Sequence, residues 1–172
     1  EYQLKVLPLP DMLAAKEAGS WKQYGTAEVN DTVNQLASGL LYLGISPNDM
    51  SAENRDKVAI ISKNRPEWLM IDLAAQKIGG VLVPVYPTIN VNELQFILND
   101  SQAKIIFVND EELYLKVKSI QDFVPSLKNI FTLEHVTNAT YWKDCLKPVT
   151  GEALARIEQI SSKITPSDLA TI

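Results

Sequence analysis

The feature that most constrains the fold is a set of four short apolar runs separated by stretches that read as helices. The runs are residues 58–62, 81–85, 104–108 and 129–133. The first, Val58-Ala59-Ile60-Ile61-Ser62, is largely β-branched and apolar at successive positions. A strand with one wet face would alternate apolar and polar residues, so this one is expected to be covered on both faces. Residues 66–78, 90–98 and 111–123 read as the intervening helices. The first of these is apolar almost all round, apart from a polar line at Asp72 and Gln76, and so packs on more than one side. In the second, Leu94, Ile97 and Leu98 face inward. Strands that alternate with helices at this interval are joined by right-handed crossovers and lie parallel. The expected fold is α/β, a three-layer α/β/α domain with a mainly parallel sheet.

Local signals fill in the rest. Residues 19–24 read as one strand of a small hairpin. Thr26 offers an N-cap to a helix whose buried stripe runs through Val29, Val33, Leu36, Ala37, Leu40, Leu41 and Leu43, and Gly44 follows its last turn. Asn64-Arg65-Pro66-Glu67 is a helix-start signature: polar cap, proline in the first turn, acid near the positive end of the dipole. Gly79-Gly80 stops that helix, and Pro84 and Pro87 are expected to end the pairing of the strand that follows. Residues 137–165 are more polar and are expected to cover the sheet with one or two short helices. Thr165-Pro166-Ser167-Asp168 is a turn, and Leu169-Ala170-Thr171-Ile172 starts an apolar strand at which the sequence stops. The expectation is a truncated piece of a longer chain, residues 1–172 forming a partial N-terminal domain.

Composition sets the class. With 46% hydrophobic and 22% charged residues in 172, the chain is an ordinary globular domain, large enough to need no disulfide staple. The single cysteine, Cys145, permits no internal disulfide and favours a reducing, cytoplasmic setting. Lys and Arg number 16 against 21 Asp and Glu, a net charge of −5 that argues against a nucleic-acid partner. No apolar run approaches the roughly 18 residues of a membrane helix.

Spacing alone assembles no complete active site. The seven glycines make no G-x-G-x-x-G fingerprint. Gly39 and Gly44 have the outer spacing of a phosphate loop, but Ile45 stands where a lysine would meet the phosphate, and a helix end explains them better. His135 and Cys145 form a conceivable nucleophile pair with nothing to orient the imidazole. One His and one Cys do not make a metal site. Asp110-Glu111-Glu112 reads as acids at a helix start, Trp68 as core, and Lys116 and Lys118 near Tyr114 as a solvated helix face.

Three stretches carry a resemblance. They are residues 21–29 (Trp21-Lys22-Gln23-Tyr24-Gly25-Thr26-Ala27-Glu28-Val29), residues 58–68, which contain Asn64-Arg65-Pro66-Glu67-Trp68, and residues 78–88, which end in Val85-Tyr86-Pro87-Thr88. Together they make residues 21–172 resemble the N-terminal part of the adenylate-forming superfamily, which includes acyl-CoA synthetases, luciferases and the adenylation domains of peptide synthetases. The second and third stretches are most similar to its long-chain fatty acyl-CoA synthetases. Asp168-Leu169-Ala170-Thr171-Ile172 is similar to the strand that leads into the family's phosphate loop.

The resemblance implies a parent that uses ATP, Mg2+ and coenzyme A. A fatty acid carboxylate attacks the α-phosphorus of ATP, and the coenzyme A thiol then displaces AMP from the acyl-adenylate. It also implies that no catalytic or metal-binding residue lies in this piece, which is expected to be inactive and to bind no cofactor tightly. It places Tyr86, Pro87 and Thr88 near the nucleotide end of coenzyme A: a ring to stack on adenine, a turn, and a hydroxyl to bond phosphate. A peripheral membrane contact of the parent is compatible with this reading. So is self-association of the fragment through the uncovered edge at residues 169–172. The alternatives are a stand-alone α/β binding or interaction module, or a ligase for aryl or shorter-chain acids.

Overall fold

The computed structural model describes residues 2–17 and 19–172. In chain order the elements are α1 (Tyr2–Val6), β1 (Leu13–Glu17), β2 (Ser20–Tyr24), α2 (Thr26–Tyr42), β3 (Lys57–Ile61), α3 (Pro66–Lys77), β4 (Val81–Val85), α4 (Val91–Ser101), β5 (Ile105–Val108), α5 (Glu111–Lys118), β6 (Asn129–Thr132), β7 (Thr140–Tyr141) and α6 (Gly151–Ser161). Short 3-10 turns lie at Gln121–Phe123 and Trp142–Cys145. The strands β1 and β2 form a separate antiparallel hairpin. The other five form one parallel sheet in the order β4-β3-β5-β6-β7.

Alternate residues of each sheet strand serve opposite faces, because side chains along a strand point up and down in turn. Val58, Ile60, Leu82, Ile105, Phe107 and Phe131 join the core under α2, α3 and α6. Ala59, Ile61, Val83, Val85, Ile106 and Val108 join the core under α4 and α5. Helices therefore cover both faces, and the three-layer α/β/α architecture is as expected. Phe107 and Phe131 stack across neighbouring strands with centroids 5.2 Å apart. Each fully buried Leu, Ile or Phe in these layers contributes about 1.5–3 kcal/mol before chain entropy is charged against it.

The helix starts follow from local chemistry. Asn90 caps α4 by accepting from the Glu93 N–H at 2.9 Å, Asp110 caps α5 through the Leu113 N–H at 3.1 Å, and Thr150 caps α6 through the Ala153 N–H at 3.2 Å. The acids at 110–112 thus act as cap and first turn. Gly44, at φ +85°, closes the chain after α2.

Several local expectations are corrected. Thr26 is the first residue of α2 and Gly25 its cap; the Thr26 hydroxyl instead ties down the segment before β1 by accepting from the Leu9 N–H at 2.9 Å. The helix read over 111–123 ends at Lys118, and a 3-10 turn finishes the segment. Residues 137–165 supply one helix, α6, which packs mainly on α2 and α3, and also the edge strand β7. Pro84 does not end the pairing of β4, which stays in register with β3 through Val85. The Leu82 N–H already points to the outer edge, so two residues on the proline nitrogen does too, and no bond to β3 is lost. That outer edge is not bare. Ala170 O accepts the Leu82 N–H at 3.0 Å, the Ile172 N–H donates to Leu82 O at 3.1 Å, and Thr171 bridges to Leu82 in parallel. The open edge expected at 169–172 is therefore the outer side of that segment, where Ile172 is 55% exposed. None of the helices described is long and apolar enough to cross a membrane.

Candidate functional site

The order of the strands locates a site before any side chain is considered. From β3 the chain crosses through α3 to β4 on one side, then returns through α4 to β5 on the other. The connection after β3 thus leaves toward one edge of the sheet, to β4, and the connection after β5 leaves toward the other, to β6, and open parallel sheets bind ligands in the crevice at the carboxyl ends of such a neighbouring pair. Here those ends are Ser62, just past β3, and Asn109, just past β5. A cleft of about 1090 Å³ opens there between the β1–β2 hairpin, the start of α3 and the 3-10 turn at Trp142–Cys145. Its wall includes Trp21, Lys63, Arg65, Asn109, Glu134 and Tyr141.

A polar network floors this cleft. Asn109 is buried at its centre. Its Oδ1 accepts from Ser62 Oγ at 3.1 Å and from Arg65 Nη1 at 3.4 Å, while its Nδ2 donates to Glu134 Oε1 at 3.0 Å and to Asp110 Oδ2 at 3.1 Å. Arg65 holds Glu67 in a two-point contact, Nε to Oε2 at 2.9 Å and Nη2 to Oε1 at 3.0 Å, and also donates to Leu133 O at 3.3 Å. The ends of β3, β5 and β6 are thereby tied together. Burial alone would raise the Glu67 carboxyl, but the hydrogen bonds and charge of Arg65 prevail and hold it below the ordinary carboxylate range. The Arg65 guanidinium is likewise held charged by Glu67 against the cost of burial. On the hairpin wall, burial and then the hydrogen bond to Glu17 push the Tyr24 hydroxyl above its ordinary value.

The residues singled out from sequence lie at the same end of the sheet, on the loop after β4. Tyr86 is 84% exposed, Thr88 is exposed and Pro87 is half-buried. The Ile89 N–H closes the loop on Tyr86 O at 3.1 Å. Lys116 of α5 reaches this loop, its Nζ donating to Ile89 O at 3.0 Å, so it is more than a solvated side chain. One ammonium proton is spent there, which leaves two donors on a side chain already held at this loop. His135 and Cys145 are not brought into a pair. His135 stacks on Tyr141 with centroids 3.8 Å apart, whereas Cys145 is buried against α2, where burial pushes its thiol up to about 12. A thiol held there is no nucleophile. Trp68 packs against the core. Among the described residues no three His, Cys, Asp or Glu side chains converge on one point.

Sequence reasoning missed Ser62, Arg65, Asn109 and Glu134 as a group. The available signal was Arg65 itself: helix caps favour Ser, Thr, Asp or Asn, so an arginine at that position is free to work elsewhere.

A family model described as AMP-binding enzyme matches residues 6–172. The chain belongs to the AMP-binding enzyme family. This family member is 29% identical over 115 residues to the long-chain-fatty-acid–CoA ligase FadD15 of Mycobacterium bovis, an alignment covering 67% of this chain and 18% of that protein. It is 25% identical over 165 residues to the long-chain-fatty-acid–CoA ligase ACSBG2 of Xenopus laevis, covering 93% of this chain and 21% of the relative. It thus spans about a fifth of the length of these curated relatives. Its fold is similar to part of the anthranilate CoA ligase AuaEII, solved with anthranoyl-AMP (TM-score 0.65, 20% identity, 75% of this chain and 24% of that one). The luciferase-like enzyme of the mealworm Zophobas morio shares it as well (TM-score 0.68, 24% identity, 87% and 33%).

Proposed function

We propose that this chain is the N-terminal part of an ATP-dependent long-chain fatty acid–CoA ligase and that it scaffolds the reaction without catalysing it. The observation that carries the reading is the family match across residues 6–172 together with curated relatives named long-chain-fatty-acid–CoA ligases. In the whole enzyme a fatty carboxylate attacks the α-phosphorus of ATP and expels pyrophosphate; the coenzyme A thiol then attacks the acyl carbonyl and expels AMP. ATP, Mg2+ and coenzyme A are the cofactors of that enzyme, which we place in the cytoplasm, in peripheral contact with membrane. The contribution of this part is the coenzyme A contact at the loop after β4. Tyr86 offers a ring to adenine, Pro87 fixes the turn, and the Thr88 hydroxyl and the remaining Lys116 donors face the nucleotide phosphates. The same reading predicts weak self-association of the isolated chain through the outer edge of residues 169–172.

The test is an assay of acyl-CoA formation from oleate, ATP, Mg2+ and coenzyme A. Residues 1–172 alone should yield none, and the ligase that carries them should yield oleoyl-CoA. In that ligase Tyr86→Ala should raise KM for coenzyme A on the order of tenfold, as loss of one stacking contact does, and leave KM for ATP in place. Turnover by the isolated chain, or an unmoved KM for coenzyme A, would refute the scaffold role or the Tyr86 contact respectively.

A further inference from the structure

The segment that lies on the outer edge of β4 is held by a buried guanidinium. Arg55 stands just before β3 and is 2% exposed. Its Nε donates to Met50 O at 3.1 Å and its Nη1 to Leu169 O at 3.1 Å. Its Nη2 lies 2.6 Å from Asp168 Oδ1, a charge contact out of hydrogen-bond alignment. Asp168 is itself aimed, because its Oδ2 accepts from the Thr165 N–H at 2.6 Å and from Thr165 Oγ1 at 3.1 Å across the preceding turn. One side chain therefore joins the 46–56 loop, the start of the sheet and a segment more than a hundred residues away.

Other forces that could fix this segment are weak. Leu169 and Ala170 are half-buried, Thr171 and Ile172 are exposed, and none of the four belongs to either core. The backbone of β4 does not fix the register either. Its outward nitrogens are those of Leu82 and Pro84, and Pro84 has no N–H, so a single donor meets the segment. A parallel strand that slides by two residues keeps the same faces in and out, so pleat alone does not forbid a slip. What distinguishes the observed register is the fixed fork of Arg55 on Leu169 O and Asp168.

We infer that Arg55 is a positioning residue: it sets the register of residues 169–172 on β4 and so fixes where the chain stands at the carboxyl end of the sheet. Resting on the ligase reading above, in which this strand feeds the phosphate loop, Arg55 governs ATP binding from the opposite end of the strand.

Two measurements test this. In the present chain, amide hydrogen exchange is followed at Leu82 and Ile172, with Ile106 in the central strand β5 as the reference. Arg55→Met fills the space of the buried stem, and the partly exposed Asp168 carboxylate keeps both Thr165 donors, so the fold should persist. Protection at Leu82 and Ile172 should fall at least tenfold while Ile106 is unchanged, and Arg55→Lys, which keeps the charge but lacks the fork, should not restore it. Unchanged protection at Leu82 and Ile172, or a loss shared equally by Ile106, overturns the inference. In the ligase carrying this chain, Arg55→Met and Arg55→Lys should raise KM for ATP on the order of tenfold while KM for oleate holds. Equal KM values for ATP in variant and parent would overturn the link to nucleotide binding. A parent enzyme that makes no acyl-CoA would instead sink the ligase reading, and the exchange measurement would still decide the role of Arg55.

Discussion

Replacing Gly39 with alanine should destabilise this domain, although Gly39 lies inside a helix. In a free helix the exchange would gain about 1 kcal/mol, since glycine is the costlier residue there. In this fold a Cβ at position 39 would stand 1.7 Å from Cys145 O, 2.8 Å from Cys145 C and 3.3 Å from Cys145 Sγ. The first two atoms are backbone, so no rotamer change relieves the clash. The 3-10 turn at Trp142–Cys145 must retreat by roughly 1.3 Å to reach even a tight contact. That turn carries buried Trp142 and Cys145 against α2. Overpacking of this kind costs about 1–3 kcal/mol, and a rigid backbone neighbour puts the cost at the upper end, so the clash outweighs the helix gain by about 2 kcal/mol. Urea unfolding reads the stability change directly. Cys145 supplies a local reporter, because its thiol is buried and pushed up to about 12, hence inert to a disulfide reagent in the native state. Gly39→Ala should lower the urea midpoint and speed Cys145 labelling under native conditions. An unchanged or raised midpoint with no faster labelling would refute the close packing of α2 on this turn.

Other predictions follow from single contacts. The Glu67 carboxyl is held below its ordinary value, so its share of stability is present above the unfolded-state value of about 4.3 and is lost as pH falls through the lower folded-state value. Glu67→Gln should flatten the acid limb of the stability–pH curve and cost about 2 kcal/mol at neutral pH, because it leaves the partly buried Arg65 only the more distant Glu134 carboxylate, at 3.8 Å; an unchanged acid limb argues against the pair. Asn90→Ala should cost about 1 kcal/mol in thermal unfolding through loss of the α4 cap, and Asn90→Asp should not. Phe107→Ala, removing a fully buried ring stacked on Phe131, should cost about 3–5 kcal/mol; a loss under 1 kcal/mol would contradict the packing of β5 on β6.

Four of the five sheet strands were legible because both their faces are covered, which leaves no polar alternation to confuse the reading. Strand β7 was not, since Thr140 and Tyr141 pair only at the sheet's edge and two residues carry no period. In β1, Leu13-Ala14-Ala15-Lys16-Glu17 lacks β-branched residues and is held by its partner β2, a tertiary contact that local propensity does not encode. Pro84 misled because a proline's effect depends on which edge its nitrogen faces, and that is set by the neighbour strands. Tyr86, Pro87 and Thr88 are contiguous, so a resemblance could point to them as one loop. The Ser62–Arg65–Asn109–Glu134 network could not be found, since its members come from three strand ends and meet only once the sheet is ordered. Arg55 shows the same limit: nothing near it in sequence points to Asp168.

The central claim is that the enzyme carrying this chain activates a long-chain acid as an acyl-adenylate. Oleate labelled with oxygen-18 in its carboxylate, turned over with ATP, Mg2+ and coenzyme A, tests it most directly. Attack on the α-phosphorus leaves one carboxylate oxygen on the AMP released, so mass spectrometry should find AMP carrying a single heavy oxygen and pyrophosphate carrying none. Unlabelled AMP, or label appearing in inorganic phosphate beside ADP, would contradict the account.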